Sequence, residues 1–568
     1  MKNRTNILFW LIIVIAVVLR FWQLGNVPPS PDWDEASLGY NAYSIMMTGR
    51  DEYGKLLPVI LRSFDDYKPG LYAYFIIPFI KLFDLNLVAV RFPSAIFGVL
   101  AVIATYFLAR ELFPNTKKYS ARPASLGEAG VFNMQYSVAV IAALLLAISP
   151  WHIQFSRIAF EAQVGLALNI GAVLFFLKGL KRGPFLLLSA LLASMSIYMY
   201  QSEKVYLPIL FVALAAIFWK ELLKSPKKWI VLAVLTGAII CIPMVASIFI
   251  DQNAFSRAKG VSIFSDQTVF LKKNAEKFAD DKQRGDILGQ VFDNRRVEYA
   301  KAIVSGYISH FNFNWLFIIG DNERHHAPSM GLLYLFELPF FLIGIYMLVF
   351  GNYSKKSKLT ILAIFLIAPI PASVTSGVPH AVRAINFLPT FQIFTAIGLI
   401  TALRFVFSIQ YRVFSIKIAK LLAIVYLLFA VSNISYYLNQ YFVQQNYYYS
   451  QYWQYGYEKA IDFIKPIKSG YNKVIVSNQA PLDQSYIFFL YYLKFDPKTY
   501  QELGGTETGG FAETHRGFDN LTFRSIDWSR EEKGNLIVGR PEDFPSGIAG
   551  LKTINFLNGR PAIKIVEK

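Results

Sequence analysis

The sequence predicts a mainly α-helical protein that crosses a membrane about eleven times and ends in a small α/β domain. Hydrophobic residues make up 54% of the 568 residues, and the mean hydropathy is +0.38. The apolar residues form blocks of roughly 16–24, the length that a helix needs to cross a hydrocarbon core about 30 Å thick. Because water is not available there to satisfy the backbone, such blocks must be helical.

The apolar blocks place the spanning helices along the chain. We expect them near residues 6–23, 88–112, 134–149, 162–177, 184–199, 205–219, 229–249, 330–350, 359–375, 384–403 and 416–437. The first block has no small-residue cleavage site, so it is interpreted as a retained helix and not as a signal peptide. The segment 70–83 is about 14 residues long and contains a proline, which favours an interfacial helix over a span.

The net charge of +18 is explained by loops on one side of the membrane. If 70–83 does not span, basic short loops alternate with weakly charged ones, as the positive-inside rule requires. The basic loops lie within residues 117–122, 178–182, 220–228, 355–358 and 404–417. This pattern predicts a multi-pass protein of the plasma (inner) membrane with a cytoplasmic N-terminus, and it gives no reason to expect a nucleic-acid partner.

The same topology places three large polar pieces outside the cytoplasm, which are residues 24–87, 250–329 and 438–568. The chain then divides into a membrane domain, 1–437, and an extracytoplasmic α/β domain, 438–568. In the second domain YGYEKAIDFIKPI and QSYIFFLYYLKF predict helices, while NKVIVSNQ and NLIVG predict strands. The final INFLNGRPAIKIVEK predicts a pair of strands that turn at Asn558-Gly559.

The first outer loop combines many acids and bases near the membrane surface. They are Asp32, Asp34, Glu35, Arg50, Asp51, Glu52, Lys55, Asp65, Asp66 and Lys68. Asp34 and Glu35 precede ASLGYNAYSIMM, whose apolar residues share one helical face and predict an amphipathic interfacial helix. The two acids either only cap that helix or also carry chemistry. A second pair, Asp65-Asp66, precedes Lys68-Pro69 and a second interfacial helix, so two acid-headed helices would form the rim of a site at the lipid–water boundary.

This order of features resembles the GT-C superfamily, and within it the protein O-mannosyltransferases and aminoarabinose transferases, the family 39-like enzymes. The shared features are a first helix, an outer loop with Asp34-Glu35, the Lys68-Pro69 element and the segment AVRFPSAIFGVL, which contains Arg91. A later outer turn, SPWHIQFSRIAFEA, supplies Arg157 and Glu161. The resemblance covers roughly residues 1–440. Aminoarabinose transferases often have an acid directly before the Lys-Pro pair, where this chain has Tyr67; either Asp66 takes that role or the role is absent.

The resemblance implies a glycosyltransferase that uses a polyprenyl-phosphate sugar and inverts the anomeric centre in one displacement. It implies that an aspartate of the first loop is the general base, a role for which the carboxylate must reach the acceptor hydroxyl or amine. We assign this role to Asp34, with Glu35 and Asp66 as further catalytic candidates. Some members of the superfamily require a divalent cation and others do not. The implied partners are the lipid-phosphate sugar donor, membrane lipids and an extracytoplasmic acceptor, which is a protein, a lipid or a cell-wall glycan.

Cations near the outer face would stabilise the departing phosphate, because arginine and lysine suit phosphate oxygens. The candidates for substrate binding are Lys68, Arg91, Arg157, Glu161, Arg324, His325, His380 and Arg383. Snorkelling to lipid headgroups is the alternative for each cation. The histidines of GDNERHHAPSMG and VPHAVRA contact phosphate or sugar, support the structure or bind a metal. We assign no residue to a metal, because a structural zinc is poorly supported without a cysteine-rich set or a histidine pair at helical spacing. A divalent cation is left open as a cofactor.

Two other functions share this topology. A transporter or flippase for polyisoprenoid-linked sugars would need charged residues in mid-span and broken helices in paired halves, whereas the acids here are at the outer rim. A polymerase or ligase would differ mainly in using a whole lipid-linked oligosaccharide. The chain has no GxxxxGK[ST] loop, which argues against ATP-driven transport.

Overall fold

The computed structural model describes residues 2–64, 66–113, 134–250, 260, 262–264, 268–409, 416–506 and 515–568. Parts of two predicted basic loops, 117–122 and 410–415, lie outside these residues, as does Asp65.

Helices account for most of the described chain. They are α1 (Lys2–Phe21), α2 (Trp33–Thr48), α3 (Leu71–Phe83), α4 (Leu87–Leu112), α5 (Met134–Ile148), α6 (Pro150–Ser156), α7 (Glu161–Gly179), α8 (Phe185–Ile197), α9 (Glu203–Ile217), α10 (Trp219–Lys224), α11 (Lys227–Ile250), α12 (Thr268–Arg284), α13 (Ile287–Phe292), α14 (Arg295–Ser309), α15 (Leu338–Phe350), α16 (Lys355–Ile367), α17 (Ile370–Ser373), α18 (Thr390–Ile409), α19 (Ile416–Asn439), α20 (Gln445–Tyr449), α21 (Tyr457–Ile464), α22 (Ser485–Leu493) and α23 (Pro497–Glu502). Short π-helices at Trp315–Ile319 and Gln440–Gln444 interrupt the series.

All eleven predicted spans coincide with helices, although the ends differ by several residues. Among the described residues, six helical segments are long and apolar enough to cross a membrane, or seven if the bent pair of α5 and α6 is one span. Several other predicted spans are shorter apolar helices, so the total of about eleven stays a prediction. The predicted interfacial segment is helix α3, which contains Pro78.

Two long helices leave most of their apolar side chains uncovered by protein. Val234 and Ile239 on α11 are 65% and 63% exposed, and Leu427 and Leu428 on α19 are 62% and 61% exposed. A soluble protein rarely presents contiguous apolar patches of this kind. These surfaces therefore face the hydrocarbon of a membrane, as the apolar composition of the chain predicts.

Helix α2 confirms the predicted helix of the first outer loop but corrects its cap. The N-cap is Asp32, whose side chain accepts a hydrogen bond from the backbone N–H of Glu35, while Asp34 and Glu35 lie in the first turn. The apolar face, including Leu38, Ala42 and Ile45, is buried against protein. The helix is therefore not the interfacial amphipathic helix that the sequence predicted, because α3, α4 and the C-terminal residues together cover it.

The Lys68-Pro69 element ends a short β-hairpin that the sequence analysis did not predict. Strand β1 (Ile60–Ser63) pairs antiparallel with β2 (Asp66–Pro69), and Lys68 lies opposite Leu61. Asp66 is the first residue of strand β2, and α3 begins only after Gly70, so the second predicted helix is not headed by the acidic pair. The backbone carbonyl of Tyr67 accepts a hydrogen bond of 2.7 Å from the side-chain amide of Gln201, which ties the hairpin to the loop before α9.

The C-terminal residues form a six-stranded sheet with flanking helices. Its strands are β3 (Val474–Val476), β4 (His515–Phe518), β5 (Leu521–Phe523), β6 (Leu536–Gly539), β7 (Lys552–Asn555) and β8 (Pro561–Glu567). The spatial order is β4-β5-β3-β6-β8-β7, with β3 parallel to both of its neighbours. The predicted helices, the strands β3 and β6, and the final pair turning at Asn558-Gly559 are all present; α23, β4 and β5 were missed.

Helix α2 packs tightly between the membrane helices and the C-terminal sheet domain. A Cβ atom at Gly39 would lie 2.7 Å from Cε2 of Tyr491 on α22 and 2.8 Å from Cγ2 of Val90 on α4. The side chains of Tyr491 and Val90 are buried, so neither has free space to move into. The absence of a side chain at Gly39 is therefore what allows the three helices to meet.

We expect Gly39→Ala to destabilise the protein by about 1–3 kcal/mol, because overpacking outweighs the gain in helix propensity. Thermal unfolding of the purified protein in detergent measures this. Gly470→Ala is the matched control, since a Cβ there meets nothing within 4 Å. If Gly39→Ala unfolds at the same temperature as Gly470→Ala, the close packing around Gly39 does not contribute to the stability of the protein.

Candidate active site

A lysine between two carboxylates forms the centre of the candidate site. The ammonium group of Lys68 lies 3.0 Å from Oδ1 of Asp34 and 3.8 Å from Oε1 of Glu161. The side chain of Lys68 is 5% exposed and that of Glu161 is 9% exposed, whereas that of Asp34 is 35% exposed. Asp34 is thus the member of this group that an incoming molecule can reach.

Three separate elements bring these side chains together. Asp34 lies in the first turn of α2, Lys68 near the end of the hairpin, and Glu161 is the first residue of α7. Both acids are at helix N-termini, where the helix dipole favours negative charge. The structure therefore brings together Asp34, Lys68 and Glu161, which the sequence analysis had named separately as a catalytic and two substrate-binding candidates. Asp66 belongs to strand β2, and its side chain lies outside the described part of the chain.

Glu35, the second acid of the pair, faces the protein interior and binds Arg91. The guanidinium of Arg91 donates to both carboxylate oxygens of Glu35, at 2.8 and 2.7 Å. Its three other donors bind the backbone carbonyl oxygens of Leu24, Pro28 and Ser30. Both side chains are fully buried. Every donor of Arg91 is therefore used within the chain, and none is left for a phosphate.

Arg157 likewise donates its hydrogen bonds to backbone carbonyls and does not contact Asp34. It donates four hydrogen bonds of 3.0–3.2 Å to the carbonyl oxygens of Leu19, Arg20, Gln23 and Val27. The first two of these carbonyls are in the last turn of helix α1 and the other two are in the loop that follows, so the cation also complements the helix dipole. The Arg157 side chain is buried. Its position thus supports the structure of the first helix.

Arg324 lies beside the first turn of α2. It donates a hydrogen bond of 2.8 Å to Oδ2 of Asp32 and stacks over the ring of Trp33 with its guanidinium carbon 4.6 Å from the ring centroid. Asp32 is buried and Arg324 is 22% exposed. Burial raises the pKa of the Asp32 carboxyl to about 7, against the opposing effect of Arg324. Arg324 is thus a predicted cation that the structure places at the start of the helix that carries Asp34.

His325 and His380 belong to a second cluster with Asp321. Nδ1 of His325 lies 3.1 Å from Oδ2 of Asp321, and the ring centroids of the two histidines are 5.1 Å apart. Burial lowers the pKa of both imidazoles. Arg383 binds Oγ1 of Thr375 and the carbonyl of Ser376, each at 2.7 Å. Asp321 was not among the predicted residues, although its spacing of four from His325 was a signal.

The C-terminal domain reaches the candidate site through Gln454. Its Oε1 accepts a hydrogen bond of 2.9 Å from the backbone N–H of Trp33, the residue before Asp34. Its amide group points to the carbonyl of Asp483 at 3.4 Å, in the segment that follows strand β3. The sequence analysis did not identify Gln454, because it lies in a run rich in tyrosine and glutamine with no distinguishing motif.

Glu52 connects the far end of the same loop to the C-terminal domain. Its carboxylate accepts hydrogen bonds from Asn41 at 2.9 Å, Thr506 at 2.8 Å and Tyr486 at 3.2 Å. The side chain is fully buried. Burial raises the pKa of Glu52 from 4.5 to about 7, although the three hydrogen bonds act in the opposite direction.

The space between the carboxylates of Asp34 and Glu161 does not fit a divalent cation. The ammonium of Lys68 is within 4 Å of both carboxylates and already neutralises one of their charges. A dication at the same place would face the like charge of a lysine that is almost fully buried. The chain itself supplies the cation of this site.

Comparison with known proteins identifies the fold. Residues 67–124 match the family profile described as dolichyl-phosphate-mannose-protein mannosyltransferase. ArnT from Cupriavidus metallidurans, solved with undecaprenyl phosphate, superposes with a TM-score of 0.52 at 12% identity over 98% of this chain and 97% of that one. The chain has the GT-C fold. It is a multi-pass membrane protein, and the expected fold class is confirmed.

Two further solved structures align with this chain at lower scores. The oligosaccharyltransferase AglB from Archaeoglobus fulgidus, in complex with an inhibitory peptide and a dolichol-phosphate, has a TM-score of 0.49 at 14% identity over 86% of this chain. This chain spans 64% of that protein's length. Arabinofuranosyltransferase AftD from Mycobacteria has a TM-score of 0.44 at 12% identity, covering all of this chain and 40% of that one. No curated protein matches by sequence.

We expect the two adjacent acids to differ in their effect on stability. Glu35→Gln leaves the buried Arg91 charge uncompensated and should cost about 3–5 kcal/mol. Asp34→Asn should cost about 1 kcal/mol, because Asp34 is partly exposed and Lys68 retains Glu161. Thermal unfolding in detergent compares them. Equal losses of stability would mean that Glu35 is not the structural member of the pair.

We expect Glu52→Gln to change the dependence of stability on pH. Because the folded-state pKa is raised, this group's stabilising effect is complete below pH 4.5 and is lost as the pH rises to about 7. The variant lacks this loss, so its free energy of unfolding should rise relative to that of wild type across that interval, by an amount on the order of 3 kcal/mol. The unfolding midpoint, measured as a function of pH, should rise with it. Glu502→Gln, on an exposed residue, is the control. Parallel pH profiles for wild type and Glu52→Gln would contradict the expectation.

Proposed function

We propose that the protein is a membrane glycosyltransferase that moves a sugar from a polyprenyl-phosphate carrier to an acceptor outside the cytoplasm. The observation that carries this proposal is the partly exposed carboxylate of Asp34, held by Lys68 in a group with Glu161. A base for an acceptor must be accessible, oriented and ionised. Asp34 meets the first two conditions by its exposure and its hydrogen bond, and the lysine charge favours the third.

The chemical step is an inverting displacement at the anomeric carbon of the donor. Asp34 takes the proton from the acceptor hydroxyl or amine as the nucleophile attacks. The new bond forms to the anomeric carbon, and the bond from that carbon to the phosphate oxygen breaks. The electron pair of that bond leaves with the polyprenyl phosphate, and Asp34 releases its proton to solvent afterwards.

Lys68 orients the base in this proposal, and Arg324 contacts the departing phosphate. Lys68 is nearly buried against two carboxylates, so its first effect is to fix Asp34 and lower the cost of its charge. Arg324 is partly exposed beside Trp33 and Asp34, and guanidinium groups match phosphate oxygens. Glu35, Arg91 and Arg157 then hold the site without touching the substrate.

The donor class is supported by two kinds of observation. The profile match begins at Tyr67, directly before Lys68, and the ArnT structure of the same fold holds undecaprenyl phosphate. The exposed apolar side chains of α11 and α19 place the protein in lipid, the phase that also holds the polyprenyl chain of such a donor. The orientation with the candidate site outside the cytoplasm follows from the predicted loop charges. The sugar and the acceptor, which is a protein, a lipid or a cell-wall glycan, are left open by this proposal.

Asp34→Asn tests the proposal with the purified protein in lipid. A radiolabelled polyprenyl-phosphate sugar is the donor, and an extract of the host membrane supplies acceptors. We expect wild type to transfer the label. The transfer rate of Asp34→Asn should be at least about 100-fold lower, which is the range for a missing general base. Donor binding, measured separately, should persist because the variant keeps Lys68 and Arg324.

Asp84→Asn is the matched control, since Asp84 is another lysine-paired aspartate of the first outer loop, bound to the exposed Lys494. It should transfer at the wild-type rate. A wild-type protein that transfers nothing but moves lipid-linked sugar across vesicles, with Asp34→Asn doing the same, would show a transporter. Transfer only from a whole lipid-linked oligosaccharide would show a polymerase or ligase.

A further inference from the structure

Two outer segments that are distant in sequence bring three metal-ligating side chains together. Asp321 and His325 follow the π-helix Trp315–Ile319, and His380 lies in the turn before helix α18. One ligand atom from each of the three lies within 4.8 Å of those of the other two. This cluster is separate from the group formed by Asp34, Lys68 and Glu161.

We propose that Asp321, His325 and His380 bind one divalent transition-metal ion, with Zn²⁺ as the best match. Two imidazoles and one carboxylate are a ligand set that zinc uses with a fourth position left for water. The proposal does not rest on the glycosyltransferase activity. It assigns these histidines to a metal and not to the donor phosphate.

An unsatisfied buried nitrogen supports the proposal. Nδ1 of His380 is buried and has no hydrogen-bond partner among the described residues. A buried polar atom without a partner costs free energy, and a metal ion would supply the missing interaction. The ring of His380 faces that of His325 at 5.1 Å between centroids, so both imidazoles border the same space.

The surrounding contacts hold the ligands in place. Oδ1 of Asp321 accepts a hydrogen bond of 2.8 Å from the backbone of Asn322, and Oδ2 accepts one from the backbone of Ala381, beside His380. The backbone N–H of His380 donates to Nε2 of His310 at 3.2 Å. Such contacts from a second layer of residues orient metal ligands. The third contact of Asp321, from Nδ1 of His325, is the one that a metal would replace.

Asp321 is the charged group among the three ligands and favours a cation over an anion, although Arg324 and Arg383 also act on the histidines. A phosphate or sulfate among these side chains would meet the carboxylate of Asp321, whereas a metal ion would be attracted by it. The ion would lie behind the candidate active site, because the ring of His325 packs 5.8 Å from that of Phe160, the residue before Glu161. His325 also follows Arg324 directly. The metal would therefore join two outer segments and fix the position of Arg324.

Zn²⁺ binding by the full-length protein tests the proposal. The protein is purified in detergent without a polyhistidine tag, treated with a chelator and titrated with Zn²⁺ alone. We expect one Zn²⁺ per chain in wild type, and at least a tenfold loss of affinity in His380→Ala and in Asp321→Asn. Bound Zn²⁺ should raise the unfolding midpoint of wild type and of no variant that lacks a ligand.

His326→Ala is the matched control, because His326 is adjacent but bonds through Nδ1 to the carbonyl of Asn322 and packs against Tyr449. It should bind Zn²⁺ as wild type does. Co²⁺ absorption spectra of wild type and His326→Ala provide a readout that does not depend on the ligand variants folding. Absence of 1:1 binding in wild type, or equal binding by His380→Ala and Asp321→Asn when both are folded, would overturn the proposal and leave a hydrogen-bonded Asp–His chain.

Discussion

The buried pair of Glu35 and Arg91 is the interaction on which the arrangement of the candidate site depends. Arg91 joins α4 to the first turn of α2 and to the loop of residues 24–30, and Glu35 also accepts a hydrogen bond of 2.8 Å from the backbone of Ala159. Ala159 precedes Glu161 by two residues. One ion pair therefore sets the positions of Asp34 and Glu161 relative to each other. A pair buried this deeply is costly to form, and its value lies in the geometry that it specifies.

The C-terminal domain packs against α2 and binds both of its ends, so it is part of the same folded unit as the membrane helices. Gln454 binds the backbone of Trp33 at the start of the helix, and Gln501 donates to Ser44 and Thr48 at its end, at 3.0 and 3.1 Å. Between these points the helix has buried residues on all sides. A helix buried all round is held by its neighbours and not by a single apolar face. Any movement of the sheet domain would therefore reach Asp34.

Several cations near the outer face serve the backbone and not the substrate. Arg157 satisfies carbonyls at the end of α1, and Arg20 satisfies those of Leu146 and Ala147 at the end of α5. The last carbonyls of a helix have no partner within the helix, and in a membrane protein little water reaches them. An arginine with five donors is an effective solution. Such an arginine cannot be distinguished in the sequence from one that binds phosphate.

The sequence by itself determined the fold class, the apolar helices of the membrane domain, the acid-rich first loop and most elements of the C-terminal domain. These follow from local composition, because block length, periodicity and loop charge are properties of contiguous segments. It also selected Asp34, Lys68 and Glu161, which the structure joins. Only the tertiary structure separated Asp34 from Glu35, identified Asp32 as the cap, and added Gln454 and Asp321. The cap at Asp32 and the pairing of Asp321 with His325 are local contacts. Glu35 and Gln454 instead meet partners 56 and 421 residues away along the chain, and no local pattern records such a meeting.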